Sequence, residues 1–226
     1  MAMRGIDVGG SANSGFKLSP VLSSVDFCIV KATEGGTFVN SYCDRVVQEC
    51  LSAALPWGFY HYGRNNGPVR EADFFIQSCW NYFGHGIPVL DWEEDQSADW
   101  VNKFVRRVYE RTKVWPWIYG NAWRFDGGDV EKNCGRWVAR YPKKITDLEA
   151  DLSSYTNKVD GLMCAWQFSE SIKIPGYSGT LDGDVFYGSI SQWNAYAAGD
   201  RSDSPTEPLP VITVEDGKYR VDITPK

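Results

Sequence analysis

Histidine is almost missing from this chain: among 226 residues there are two, His61 and His85. A His-rich zinc centre and a Cys–His peptidase both depend on imidazole, and neither histidine sits in a motif of either kind. The six cysteines (Cys28, Cys43, Cys50, Cys79, Cys134 and Cys164) include no C-x-x-C pair. They read as reduced thiols of a chain made in a cytoplasm rather than as a disulfide framework. No basic cluster occurs and the formal net charge is -6, which sets aside nucleic acid and anionic membrane surfaces as main partners. No apolar run is long enough to span a bilayer, so membrane insertion is not expected. The opening "MAMRGIDVGG" lacks the apolar stretch of about 7 to 15 residues that a secretory signal carries. With no ligand cluster at suitable spacing, no metal and no other cofactor are expected.

Aromatic residues, in contrast, are plentiful. They make up 15% of the chain, with 10 Trp and 12 Tyr, more than a core requires. Flat amphipathic rings suit the apolar faces of sugars. A hydrophobic content of 43% over this length supports one substantial core.

One local event recurs along the chain: a short apolar run that ends in polar residues. It occurs in "RGIDVGG" at Asp7, "DFCIVKATEG" at Glu34, "PWGFYHYGR" at His61 to Arg64, and "IPVLDWE" at Asp91 and Glu93. It returns in "WPWIYGN" with Tyr119, "GRWVARYP" with Trp137, "LMCAWQFSE" with Gln167, and "GTLDGDVFYG" with Asp182 and Asp184. Eight strands are therefore expected. Helical periodicity fills 41–54, 70–83 and 97–112, where Trp100, Phe104, Val105 and Val108 recur at helical spacing. The connections 121–135 and 142–158 are richer in Gly, Asp, Lys and Asn and lose that periodicity. The expected fold is α/β: an irregular TIM-like (β/α) barrel of eight strands, with a parallel sheet and reduced helices in its second half. In such barrels the working groups come from the C-terminal ends of several strands, where the polar residues of this chain fall.

Residues 1–198 then form the barrel domain, closed by a helix over 189–198. Residues 199–210, "GDRSDSPTEPLP", have the composition of an exposed linker. Residues 211–226 read as a short β-hairpin around Asp216-Gly217, the start or remnant of a further module.

The stretch "PVLDWEEDQ", 88–96, carries the clearest chemistry. In an extended segment Asp91 and Glu93 point to one face with Cα atoms about 7 Å apart, and Trp92 between them faces away into the helix layer. Two close carboxylates raise each other's proton affinity, so one stays protonated beside an anion. A general acid beside an anion is what cleavage of a glycosidic bond needs. Closure of a barrel sets the last strand beside the first, so Asp7, Asp91, Glu93 and Asp182 can face one cavity.

Taken together, "GIDVGG", "FCIVKATEG", "GFYHYGR", "PVLDWE", "WIYGN", "RWVARY", "AWQFSE" and "LDGDVF", in that order over roughly residues 4 to 190, resemble glycoside hydrolase family 25. That resemblance implies a lysozyme that cleaves the β-1,4 bond between N-acetylmuramic acid and N-acetylglucosamine of bacterial peptidoglycan. It implies Glu93 as general acid, and Asp91 as the group that orients the substrate N-acetyl or stabilises charge at the anomeric carbon. Asp7 and Asp182 match the family's flanking acids, and the resemblance implies retention through participation of the substrate's own N-acetyl group. Glu34, Tyr62, Tyr119, Trp137, Gln167 and Asp184 are expected to contact substrate, and His61 to be a hydrogen-bonded barrel residue. Two departures stand out: Gly9-Gly10 where the first motif often continues with Ser, and Asp184 where the last often reads D-x-N. The expected setting is a bacteriophage endolysin, made in the host cytoplasm and acting on the cell wall after release. The alternatives are a wall-binding module without chemistry, against which four clustered acids speak, and an amidase or peptidase of the peptide stem, which the scarcity of histidine disfavours.

Overall fold

The computed structural model describes residues 2–10 and 13–200 and, as backbone, 211–215 and 218–222. Eight strands close into a ring: β1 (Met3–Val8), β2 (Phe27–Glu34), β4 (Trp57–Tyr62), β5 (Ile87–Asp91), β6 (Trp117–Asn121), β7 (Arg136–Ala139), β8 (Met163–Ile172) and β9 (Leu181–Phe186), with β1 hydrogen-bonded to both β2 and β9. A two-residue strand, β3 (Phe38–Val39), lies antiparallel on the end of β2. Every apolar run expected to be a strand is one.

Three helices cross between the early strands: α1 (Cys43–Ser52), α2 (Pro68–Cys79) and α3 (Ala98–Thr112). α3 starts where the Ser97 hydroxyl accepts from the Trp100 N–H, and it stops at Lys113, in the left-handed region at φ 62°. Its buried stripe, Trp100, Val101, Phe104, Val105 and Val108, packs on the sheet. Between β6 and β8 the only helix among the described residues is a 3-10 turn, Ala122–Phe125. The reduced second half is thus present.

The sheet is not wholly parallel. β9 runs antiparallel to both β8 and β1. Residues 173–180 alone join β8 to β9, and a parallel return needs a crossover of about a dozen residues or more. This reversal corrects the all-parallel expectation and has a functional consequence. Asp182, near the N-terminus of β9, is brought directly opposite Asp7, near the C-terminus of β1. In a parallel β9 it would lie at the opposite end of the barrel.

The lower end is sealed by α4 (Ile190–Ala198), which begins with a capping box between Ser189 and Gln192. Trp193 of α4 packs against Phe27, Trp117 and Phe186, with ring centroids 4.7, 5.5 and 5.2 Å away. A second, larger cluster fills the layer between the sheet and α1, α2 and α3, and it includes Trp92, which faces outward as expected. All six cysteines are buried and free. Burial pushes the Cys43, Cys79, Cys134 and Cys164 thiols up, which leaves them unreactive.

Past α4, Gly199 and Asp200 remain tied to the domain: the Asp200 N–H donates to the Lys113 carbonyl, and the Tyr109 hydroxyl donates to the Asp200 carboxylate at 2.7 Å. The rest of the expected linker, 201–210, lies outside the described residues. β10 (Val211–Glu215) and β11 (Lys218–Asp222) pair antiparallel, Glu215 opposite Lys218; the expected turn at 216–217 lies outside the described residues.

Candidate active site

At the upper end the inward-facing residues turn from apolar to acidic. A cavity of about 340 Å³ opens there, lined by Asp7, Asp91, Glu93 and Asp182 together with Lys31, Tyr60, Tyr62, Tyr119, Trp137, Tyr141, Gln167 and Glu170. Each acid arrives by strand alternation. Asp7 is two residues above Gly5 on β1, and Asp91 is two above Val89 on β5. Glu93 follows the end of β5 and reaches the mouth, exposed to solvent, while Asp91 and Asp7 are buried.

A hydrogen-bond relay fixes the floor. Tyr119 and Tyr141 both donate their hydroxyls to Gln167 Oε1, the former at 2.7 Å. Gln167 Nε2 then donates to Asp7 Oδ2 at 2.7 Å. The two tyrosines occupy the amide oxygen, so the Gln167 side chain can present only its donor to Asp7. Beneath this, the Trp137 indole donates to Asp184 Oδ1 at 2.8 Å, and Asp184 Oδ2 has no other partner than the neighbouring Asp7 carboxyl.

Crowding and burial set the proton affinities. Burial, then Asp182, raises the Asp7 carboxyl well above the ordinary range, with the Gln167 bond opposing. Asp184 is raised by burial and then by Asp7, so neither carboxyl of this buried pair ionises as readily as an exposed one. Asp91 is raised by burial, then by Glu93 and Asp7, with Lys31 opposing, and its Oδ1 is buried with no hydrogen-bond partner. Asp182 is pushed up to about 6 by burial, then by Glu170 and Glu93. Glu93 is raised by partial burial and held back by the Arg124 guanidinium. A cluster whose proton affinities are raised unequally can hold a protonated carboxyl beside an ionised one, the condition for passing a proton to one atom while stabilising positive charge at another.

Of the expected substrate contacts, Tyr62, Tyr119, Trp137 and Gln167 line the cavity. Two do not. Asp184 is fully buried and out of reach of a ligand, so direct sugar contact is replaced by support of Asp7 from below. Glu34 stands back from the lining, in ion pairs with Lys31 and with Arg64 at 2.7 Å. His61 is buried as expected, with Nδ1 2.8 Å from the Thr33 hydroxyl and Nε2 3.0 Å from Glu71. Burial holds the ring neutral, so Nε2–H donates to the Glu71 carboxylate and Nδ1 accepts from Thr33.

Sequence reasoning missed Lys31, Tyr60, Tyr141 and Glu170. Tyr60 could have been found by stepping two residues back along β4 from Tyr62, whereas Lys31 lies three residues before Glu34 and could not. A register shift on β2 between Lys31 and Thr33 turns Ala32 and Thr33 toward the helices while Lys31 keeps to the cavity. Gly9 also acquires a reason: a Cβ there would lie 1.8 Å from the Tyr60 hydroxyl, so only glycine admits this tyrosine into the cleft.

Comparison with known proteins agrees with this geometry. The model of Glycosyl hydrolases family 25 matches residues 12–177. The chain is 28% identical over 191 residues to the autolytic lysozyme of Clostridium acetobutylicum, an alignment that takes in 81% of this chain and 56% of that protein. It is 27% identical over 189 residues to the lysozyme of Streptococcus phage Cp-9, covering 74% of this chain and 50% of that one. The chain thus spans about half the length of these relatives. Among solved structures, the bacterial lysozyme of Streptomyces coelicolor superposes with a TM-score of 0.71 at 26% identity, over 87% of this chain and 97% of that one. No helix among the described residues is long and apolar enough to cross a membrane.

Proposed function

The chain belongs to glycosyl hydrolases family 25, and from that premise we propose that it is a muramidase, hydrolysing the β-1,4 bond between N-acetylmuramic acid and N-acetylglucosamine in bacterial peptidoglycan. The observation that carries this reading is the convergence of Asp7, Asp91, Glu93 and Asp182 on one aromatic-lined cleft, with proton affinities spread by burial and crowding. Glu93, the solvent-facing member, is the general acid: it protonates the glycosidic oxygen and is reprotonated from water. Asp91, buried with a free oxygen, takes the substrate's N-acetyl N–H and orients its carbonyl toward the anomeric carbon. Asp182 and the Asp7 pair stabilise the positive charge that develops as the bond breaks. Tyr62, Tyr119, Trp137 and Gln167 shape the sugar site.

Relatedness to phage lysozymes supports an endolysin role, with action on the wall from outside the cytoplasm. On this reading residues 1–198 are the catalytic domain, 199–210 a linker and 211–226 the edge of a wall-attachment element. Mass analysis of fragments from digested peptidoglycan tests the proposal. New reducing ends on N-acetylmuramic acid are expected; free peptide stems or reducing N-acetylglucosamine ends would refute it.

A further inference from the structure

Asp7, Asp91 and Asp182 all lie on strands, and Glu93 does not. It follows the end of β5 and precedes α3, so neither a sheet ladder nor a helix fixes its backbone. What holds it comes from β6 and the turn beyond. The Trp92 N–H donates to the Tyr119 carbonyl of β6 at 2.9 Å, and the Trp92 indole donates to the Gln96 carbonyl at 2.9 Å. The Glu93 carbonyl itself accepts from the Arg124 guanidinium at 2.5 Å. Arg124 belongs to the 3-10 turn Ala122–Phe125, which Phe125 anchors in the core, edge-on to Trp92 with ring centroids 6.3 Å apart. The guanidinium lies over two indoles, 5.0 Å from the Trp92 ring and 4.7 Å from that of Trp123. Gly120 makes room for it: a Cβ there would come 3.1 Å from the Trp92 carbonyl and 3.3 Å from Arg124 Cδ. Arg124 Nε is nevertheless buried without a partner among the described residues, which is a cost. Its own hydrogen bonding therefore does not account for the placement, and the neighbouring carboxyls do: burial works against the charge, and Glu93 is the first group that favours it.

We propose that Arg124 is a positioning residue for the general acid, holding the Glu93 backbone at the cleft mouth and setting a fixed cation beside its carboxyl. The inference rests on the muramidase reading, in which Glu93 must give up a proton and regain it. The groups that face Glu93 carry both signs. Asp7 of β1, Asp91 of β5, Asp182 of β9 and the adjacent Glu94 favour its protonated form. Tyr119 of β6 hydrogen-bonds to it, and Tyr62 of β4 stays neutral. Lys31 of β2 and Arg124 are the cations, Arg124 has the larger effect, and Lys31 is already paired with Glu34. Without Arg124 the carboxyl would face mainly acids. It would hold its proton more tightly and release it to the glycosidic oxygen less readily.

Two substitutions separate the charge from the attachment. Arg124→Gln keeps a donor for the Glu93 carbonyl and removes the charge, whereas Arg124→Lys keeps both. Activity on soluble glycan fragments falls at alkaline pH as the acid ionises, so Arg124→Gln should move that limb of kcat/KM up by about 0.5 to 1 pH unit. Its plateau kcat should fall several-fold with KM changed less. Arg124→Lys should return the limb most of the way to wild type. The Glu93 carboxyl, followed by its carbon-13 resonance without substrate, should show the same upward shift in Arg124→Gln. A Glu93 titration that Arg124→Gln leaves unmoved overturns the proposal, and so does a limb that Arg124→Lys fails to restore. A shifted titration with an unmoved limb overturns it too, because another group would then be the acid. Loss of the fold in both variants would make Arg124 a structural clasp and likewise overturn it. The reducing ends released by the wild-type protein report on the muramidase reading separately, whatever Arg124 does.

Discussion

The two halves of the barrel interior are made by the same strands and teach opposite lessons. Below, Phe27, Ile87, Trp117, Phe186 and Trp193 pack together with almost no exposure. Above, a few residues away along those strands or their neighbours, and on the reversed β9 toward its N-terminus, the inward positions are Asp7, Asp91, Asp182 and Gln167. The lower half supplies apolar burial, worth roughly 25 cal/mol per Å² removed from water. In the upper half carboxyls are held so close that burial and mutual repulsion raise their proton affinity, a standing electrostatic cost. Stability and chemistry are thus separated along the barrel axis, and substitutions at the two ends should behave differently.

The largest effect is expected at the top. Glu93→Gln removes the transferable proton and keeps the shape, so wall lysis should fall by about 10² to 10⁴-fold while circular dichroism and melting temperature stay near wild type. Asp91→Asn should be comparably harmful. Wild-type-like turnover by a folded Glu93→Gln protein would remove the acid assignment. At the bottom, Trp117→Ala should cost about 3–5 kcal/mol, lowering the melting temperature by on the order of 10 °C. If that protein melts normally but is inactive, the division of labour along the axis is wrong.

Within the top half, Asp182→Asn should reduce activity more than Asp184→Asn. Asp184 is buried and its ionisation is opposed by burial and by Asp7, and an Asn amide oxygen can still accept from the Trp137 indole. Greater sensitivity at 184 would make the buried pair, rather than the half-buried flanking acid, the critical element.

A smaller effect concerns pH and stability. The folded Asp182 carboxyl titrates at about 6, above its ordinary value of 3.8, so the folded state binds the proton more tightly than the unfolded chain. Its contribution is therefore absent below pH 4 and becomes destabilising as pH rises from 4 to 6. Asp182→Asn should lose less stability over that window than wild type, by about 2–4 °C of melting temperature for each kcal/mol recovered. Identical pH profiles would mean that Asp182 is not strained.

Smallest of all, deletion of residues 201–226, which retains the Asp200–Tyr109 bond, should leave melting and activity on soluble fragments close to wild type and weaken action on intact walls. A melting temperature lowered by many degrees would show that the tail belongs to the barrel's fold.

Much of this was written locally in the chain. The strand positions were readable because apolar runs ending in polar residues repeat, and residues two apart share a face whatever the rest of the chain does. The pairing of Asp91 with Glu93 and the outward Trp92 follow from that rule alone. The loss of helices after β6 was visible in the loss of 3.6-residue periodicity. The tertiary structure decided what depends on distant partners. The short 173–180 connection reverses β9, and only that reversal sets Asp182 opposite Asp7. The shift on β2 decides that Lys31 enters the cavity while Thr33 leaves it to bond His61. Asp184 reads from sequence like any other strand-end acid, yet closure of the barrel buries it beneath the floor with Trp137. The bracing of Glu93 by Arg124 needs the end of β5 and the 3-10 turn after β6 at one place. Alternation along a strand is a property of neighbours in the chain and can be read there. Burial, proton affinity and cavities belong to neighbours in space, and those exist only once the ring has closed.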